Sequence, residues 1–175
     1  MTASAGSSGP ILWVTMSTAD LDGSVAAWDS GLGLAAVERG VLPADLATRY
    51  GAPHLAGARW ALLGGRTGGV RLVETAAGAA DDSPLASLGW AAAEVSVIDA
   101  ETTCDRALSA GFTALGPPRA LGSNPAIRAA QVAAPGGGAA YLTDIRAYDG
   151  PLDLHRARQP VDRVFIAVLA SDALE

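Results

Sequence analysis

The sequence contains no lysine: its twelve cationic residues are all arginine, set against eighteen acidic ones for a net charge of −6. Those arginines are scattered, and binding nucleic acid requires a concentrated positive patch to displace counterions, so no nucleic-acid partner is expected. Cysteine is reduced to Cys104 alone, which excludes an intrachain disulfide. Apolar runs such as Val164 to Ala170 fall well short of the roughly 18–20 residues of a membrane span. Residues Met1 to Pro10 have neither the basic start nor the apolar stretch of a secretory signal, and the cytoplasm is the expected compartment. Common catalytic signatures are also missing. There is no Gly-x-Ser-x-Gly elbow, no P-loop and no Cys-His pair at useful spacing.

What is present is a core-forming chain. Half of its 175 residues are hydrophobic and 17% are charged, too apolar a balance for disorder. A chain of this length makes one ordinary domain or two very small ones and buries about 70% of its unfolded surface.

After the flexible lead-in of residues 1–10, Ile11 to Ser17 is β-prone. Thr18 or Asp20 can cap a helix from about Leu21 to Ser30, with Val25, Trp28 and Leu32 on one face and Gly31 and Gly33 ending it. A strand is expected at Leu34 to Arg39, a brief helix from Pro43 through Tyr50, and a hairpin of Gly57–Leu63 with Val70–Thr75 around a glycine-rich turn. Residues 76–87 have linker composition. The pattern then restarts: strand Trp90–Val97, a helix from the Asp99 cap to Ala110, and a short strand Phe112–Leu115 stopped by Gly116-Pro117-Pro118. Strands Ile127–Ala133 and Ala139–Ile145 follow, around Pro135-Gly136-Gly137-Gly138.

Strand, helix, strand, strand, strand therefore occurs twice, in residues 11–75 and 88–145. Placing Asp20 on Asp99 sets Trp13 over Ala92, and aligning the two glycine turns sets Arg71 near Tyr141. With Gly31-Leu32-Gly33-Leu34, Ser109-Ala110-Gly111-Phe112 and the Ala134-Pro135-Gly136-Gly137-Gly138 turn, this double pattern resembles the vicinal oxygen chelate superfamily of glyoxalase I, bleomycin-resistance proteins and extradiol dioxygenases. The resemblance implies an α+β fold, two tandem βαβββ modules whose curved mixed sheets enclose a cleft. In the tail, residues 146–175, Val161 to Leu169 looks like the opening strand of a further module. Left uncovered it would be an aggregation hazard, so a homodimer contact, a continuing polypeptide or pairing elsewhere is expected.

Metal-dependent members of that superfamily hold a divalent ion with His or Glu from the first and fourth strands of each module. Carried over, those positions fall on Trp13, Arg71, Ala92 and Tyr141, three of which cannot ligate a metal. No metal or other cofactor is expected. Glu94 shares the face of Ala92, whereas Glu74 and Asp144 should face away. His54 and His155 are expected in surface or structural roles, and Cys104 as a small buried hydrophobe.

The expected cleft lining is Trp13, Thr15, Arg71, Ala92, Glu94, Tyr141 and Thr143, with Trp60 included if its strand faces inward. Such a set suits a small, partly aromatic organic molecule, and sequestration of the bleomycin-resistance kind is the nearest analogy. One alternative is a lyase, isomerase or dioxygenase-like enzyme with Arg71 stabilising an oxyanion, Glu94 as base and Tyr141 as proton donor. Another is a non-catalytic half of a larger multi-module enzyme. A third, bland arrangement has Trp13 and Tyr141 filling the cleft as core and Arg71 bridging to Glu94.

Overall fold

The computed structural model describes residues 11–65, 68–76, 89–122, 124–150 and 154–172. The first unit consists of β1 (Trp13–Thr18), α1 (Leu21–Leu32), β2 (Ala36–Val41), β3 (Arg59–Gly65) and β4 (Gly68–Glu74). A short helix α2 (Ala44–Arg49) and a 3-10 turn (Pro53–Leu55) lie in its β2–β3 connection. The second unit consists of β5 (Gly89–Val97), α3 (Ala100–Ser109), β6 (Thr113–Leu121), β7 (Asn124–Ala133) and β8 (Ala139–Ile145), and β9 (Val161–Ala170) follows. The expected α+β architecture of two βαβββ modules is therefore present. Residues 1–10 and nearly all of the expected linker lie outside the described residues. Among the described residues, no helix is long and apolar enough to cross a membrane.

Local chemistry fixes both helix starts. The Asp20 and Asp99 side chains each accept the backbone N–H three residues on, from Gly23 at 3.0 Å and Thr102 at 2.7 Å. Each satisfies one of the donors that a helix N-terminus leaves without a partner. Gly33 ends α1 in the left-handed region at φ 69°, where a side chain would be strained.

Each module forms one sheet. The first has strand order β1-β4-β3-β2, the second β6-β7-β8-β5-β9, and the first and fourth strands of each module pair in parallel. Met16, Ala61, Leu63, Val70 and Leu72 turn one face of the first sheet toward α1, while Ala93, Val95, Ala130, Val132 and Leu142 do the same toward α3. One core cluster joins both sets, because the two helices pack together. Trp28 of α1 meets Phe112 edge to face at 5.4 Å, and the Arg106 Nε donates to the Gly31 carbonyl at 2.5 Å. A Cβ on Gly31 would come within 3.0 Å of Ala110, so this close approach needs glycine. The β7–β8 turn docks on the same joint, where Ser24 Oγ donates to the Pro135 carbonyl at 2.7 Å.

Two expectations are corrected. Gly116-Pro117-Pro118 does not stop its strand; β6 runs through it, with register shifts at Gly116 and Arg119. β6 is an edge strand, and its two prolines fall in the break of register between Gly116 and Arg119, where neither has a paired residue in β7. The strand expected at Leu34–Arg39 starts two residues later, because Leu34 is taken up in the core behind the Gly33 cap. The tail strand β9 pairs antiparallel with β5 and packs against β4 and β1, so it lies at the seam between the two modules.

Candidate functional site

The face of each sheet turned away from its helix carries the residues expected to line a cleft. On the first sheet, Trp13 stands opposite Gly69, Thr15 opposite Arg71, Leu62 across from Arg71 and Trp60 opposite Val73. Strand alternation puts all of them on one side, which settles the orientation of Trp60. The Arg71 guanidinium carbon sits 5.5 Å from the Trp60 ring centroid, within cation–π range. Both rings lie over glycine: a Cβ would come within 2.7 Å of Trp60 at Gly40 and within 2.9 Å of Trp13 at Gly69. Arg71 Nη1 donates to the Tyr50 hydroxyl at 3.4 Å, while its Nε is buried with no acceptor among the described residues. Thr15 and Ser17 are exposed and Trp13, Trp60 and Arg71 are half-buried, while Leu62 and Val73 beside them are buried, so this face is open to solvent around a closed centre.

The second sheet presents Ala92, Glu94 and Ser96 from β5 and Tyr141, Thr143 and Ile145 from β8. Thr143 Oγ1 donates to Glu94 Oε1 at 2.6 Å, and Tyr141 is the cross-strand neighbour of Glu94. Burial pushes the Glu94 carboxyl above its ordinary value, and the Thr143 hydrogen bond only partly opposes this. Most of this face is closed off, with Ala92, Ser96, Ala129, Thr143 and Ile145 all buried. Part of the cover is the chain's own tail. Ser96 Oγ donates to the His155 carbonyl at 2.9 Å, Arg156 Nε donates to the Ile145 carbonyl at 3.1 Å, and Ile98 N donates to Pro160 at 3.2 Å. His155 Nε2 lies 3.0 Å from Asp162 Oδ2 and closes this strap on β9. Burial opposes ionisation of Asp162, yet the Arg158 N–H and the His155 ring hold its carboxyl below the usual range.

The structure thus gathers Trp13, Thr15, Trp60 and Arg71 on one face and Ala92, Glu94, Tyr141 and Thr143 on the other. Among the described residues, no hydrogen bond or ion pair links the two sets. Arg71 does not bridge to Glu94, since its contacts are Tyr50 and Trp60. Glu74 and Asp144 face away as expected, held by Arg59 and Arg146. Cys104 is buried, which raises its thiol pKa, and His54 is exposed in the 3-10 turn. Sequence reasoning missed Tyr50 and Gly40. An aromatic residue just before Gly51 was a faint signal, because only the fold brings that connection over Arg71. A groove of about 310 Å³ lies elsewhere, between α1 and Gly111, Pro135 and Gly136 at the module joint. It contains none of the expected site residues.

No protein-family profile matches the chain, and no curated protein matches it by sequence. Solved structures do. Glyoxalase I from Zea mays superposes with a TM-score of 0.58 at 16% identity over 81% of this chain. A glyoxalase family protein from Bacillus cereus gives 0.58 at 15% identity, covering 82% of this chain and 97% of its own. A glyoxalase-related enzyme from Fulvimarina pelagi gives 0.53 at 16% identity, covering 92% and 98%. The chain has the vicinal oxygen chelate fold. It spans 46% of the maize enzyme's length.

The metal site associated with that fold does not fit these residues. Indole, guanidinium and methyl groups stand at three of the four ligand positions, and Arg71 puts a fixed positive charge where a cation would need anionic or neutral donors. The nearby carboxylate, Glu94, is engaged by Thr143. No group of three or more ligand-type side chains is found among the described residues.

Proposed function

We propose that this protein binds a small, partly aromatic organic molecule on the helix-free face of its first sheet, without a metal ion. The observation that carries this reading is the open patch of Trp13, Thr15, Trp60 and Arg71, in which two indoles flank a guanidinium stacked on one of them. Flat apolar rings with a few fixed polar groups are what small-molecule sites are made of. A binding and sequestering role follows more directly than catalysis, because Arg71 and Glu94 do not meet.

The test is metal analysis of purified protein combined with tryptophan fluorescence titration against divalent ions and a panel of aromatic metabolites. Saturable quenching by an aromatic compound, with no retained metal, is the expected result. Stoichiometric metal surviving dialysis would contradict the metal-free reading.

A second reading rests on Glu94. A largely desolvated carboxyl with a raised pKa beside a threonine hydroxyl and a tyrosine is equipped to act as a general base. It requires turnover that disappears in Glu94→Gln while the fold is retained; turnover that survives this substitution excludes Glu94 as the base.

A further inference from the structure

Five of the eleven described arginines pair with a carboxylate. Arg39 pairs with Asp22, Arg49 with Asp45, Arg59 with Asp22 and Glu74, Arg128 with Glu101 and Arg146 with Asp144. Arg71 has none among the described residues, although it stands in a central strand and is only half exposed. Among the described residues its one hydrogen bond, to Tyr50, is long, and the buried Nε–H is left over, as is that of Arg163; only Arg71 also stacks on an indole. A buried donor without an acceptor costs about 1–3 kcal/mol, and the cost is recovered when an acceptor arrives. The ring of Trp60 supports one face of the guanidinium and leaves its edge as the donor side. That edge, Nε–H with a terminal N–H, is the fork that receives a carboxylate in two parallel hydrogen bonds. Tyr50, the partner of Nη1, is itself exposed, at the end of α2 and just before Gly51 at φ 71°, so it sits at a conformationally permissive point.

We infer that the ligand of this face is an aromatic carboxylate, whose carboxylate is held by Arg71 and whose ring lies among Trp60, Trp13 and Leu62. The inference rests on the proposed binding face and adds its charge class. Tyr50 is a positioning residue that turns aside to admit the carboxylate.

Calorimetric titration with 2-naphthoate and with 2-naphthamide, which share one apolar body, separates charge from ring binding. The acid should bind at least ten-fold more tightly than the amide. Arg71→Met should reduce the acid to the level of the amide, and Arg71→Lys should restore only part of the difference, because an ammonium keeps the charge but not the fork. Far-ultraviolet circular dichroism and thermal unfolding check that each variant is folded. Equal binding of acid and amide, unchanged in Arg71→Met, would overturn the inference while leaving the small-molecule reading intact. A preference for the acid that survives in Arg71→Met overturns it by moving the anion site elsewhere. No heat from either compound up to millimolar concentration overturns both.

Discussion

The two modules share a fold yet treat the same face in opposite ways. In the first, the helix-free face carries two indoles and an arginine that are half-buried; in the second, a half-buried carboxyl and Tyr141 stand beside Ser96 and Ile145, to which the chain's own tail is bonded. The difference arises at matched positions. Trp13 in β1 corresponds to Ala92 in β5, and the ring in the first module has no counterpart in the second, where aliphatic β9 runs alongside instead. A repeat can therefore keep its core pattern, the part that specifies the fold, and diverge on the face turned away from the helices. Fold and site are under separate control in this chain.

The comparison breaks most severely at the helix joint that holds both faces in one frame. Trp28→Ala should cost about 3–5 kcal/mol in chemical denaturation, since it removes a fully buried ring and its Phe112 partner contact. Loss of both sheets in one transition is expected; separate transitions would show that the modules fold independently. Gly31→Val tests the same joint by crowding Ala107, Ala110 and Phe112, and should cost about 1–3 kcal/mol. Ser96→Ala sharpens the comparison. It strands the His155 carbonyl beneath the strap, at about 1–2 kcal/mol, and should speed amide exchange in residues 154–160 while leaving binding on the first face unchanged.

The smallest effect is a pH dependence. Glu94 has a folded pKa raised above its ordinary 4.5, so the folded protein holds a proton that the unfolded chain has released, and this group's contribution makes stability fall as pH rises through that window. Glu94→Gln should remove this decline, gaining relative to wild type above the window and not below it. The Asp22–Arg59–Glu74 cluster has the opposite sign. Hydrogen bonds from Arg59 lower both carboxyls, so its stabilisation is present above their unfolded values and lost as pH falls.

The repeat, the α+β class and the Asp99 cap were legible because they depend on local chemistry: hydrophobic period, glycine turns and a short acidic side chain before a helix; the first cap was narrowed to Thr18 or Asp20, and it is Asp20. β8 was read with its observed ends, Ala139–Ile145, since glycines and a proline precede it. What escaped the sequence is tertiary. Whether a Gly-Pro-Pro breaks a strand depends on whether that strand lies at an edge. The orientation of Trp60 follows from its pairing with Val73, and the partner of β9 is chosen by the free edge of β5. The role of Tyr50 exists only once the β2–β3 connection is folded over Arg71.

The four tryptophans are built-in reporters of the central asymmetry: Trp13 and Trp60 on the open face, Trp28 in the core and Trp90 exposed at the far end of β5. Indole N–H resonances followed by NMR during titration with an aromatic carboxylate test it most directly. Saturable shifts of Trp13 and Trp60, with Trp28 and Trp90 still, are the predicted result. Shifts confined to Trp90, or to backbone amides around Glu94 and Tyr141, would place the ligand on the second module and contradict the account.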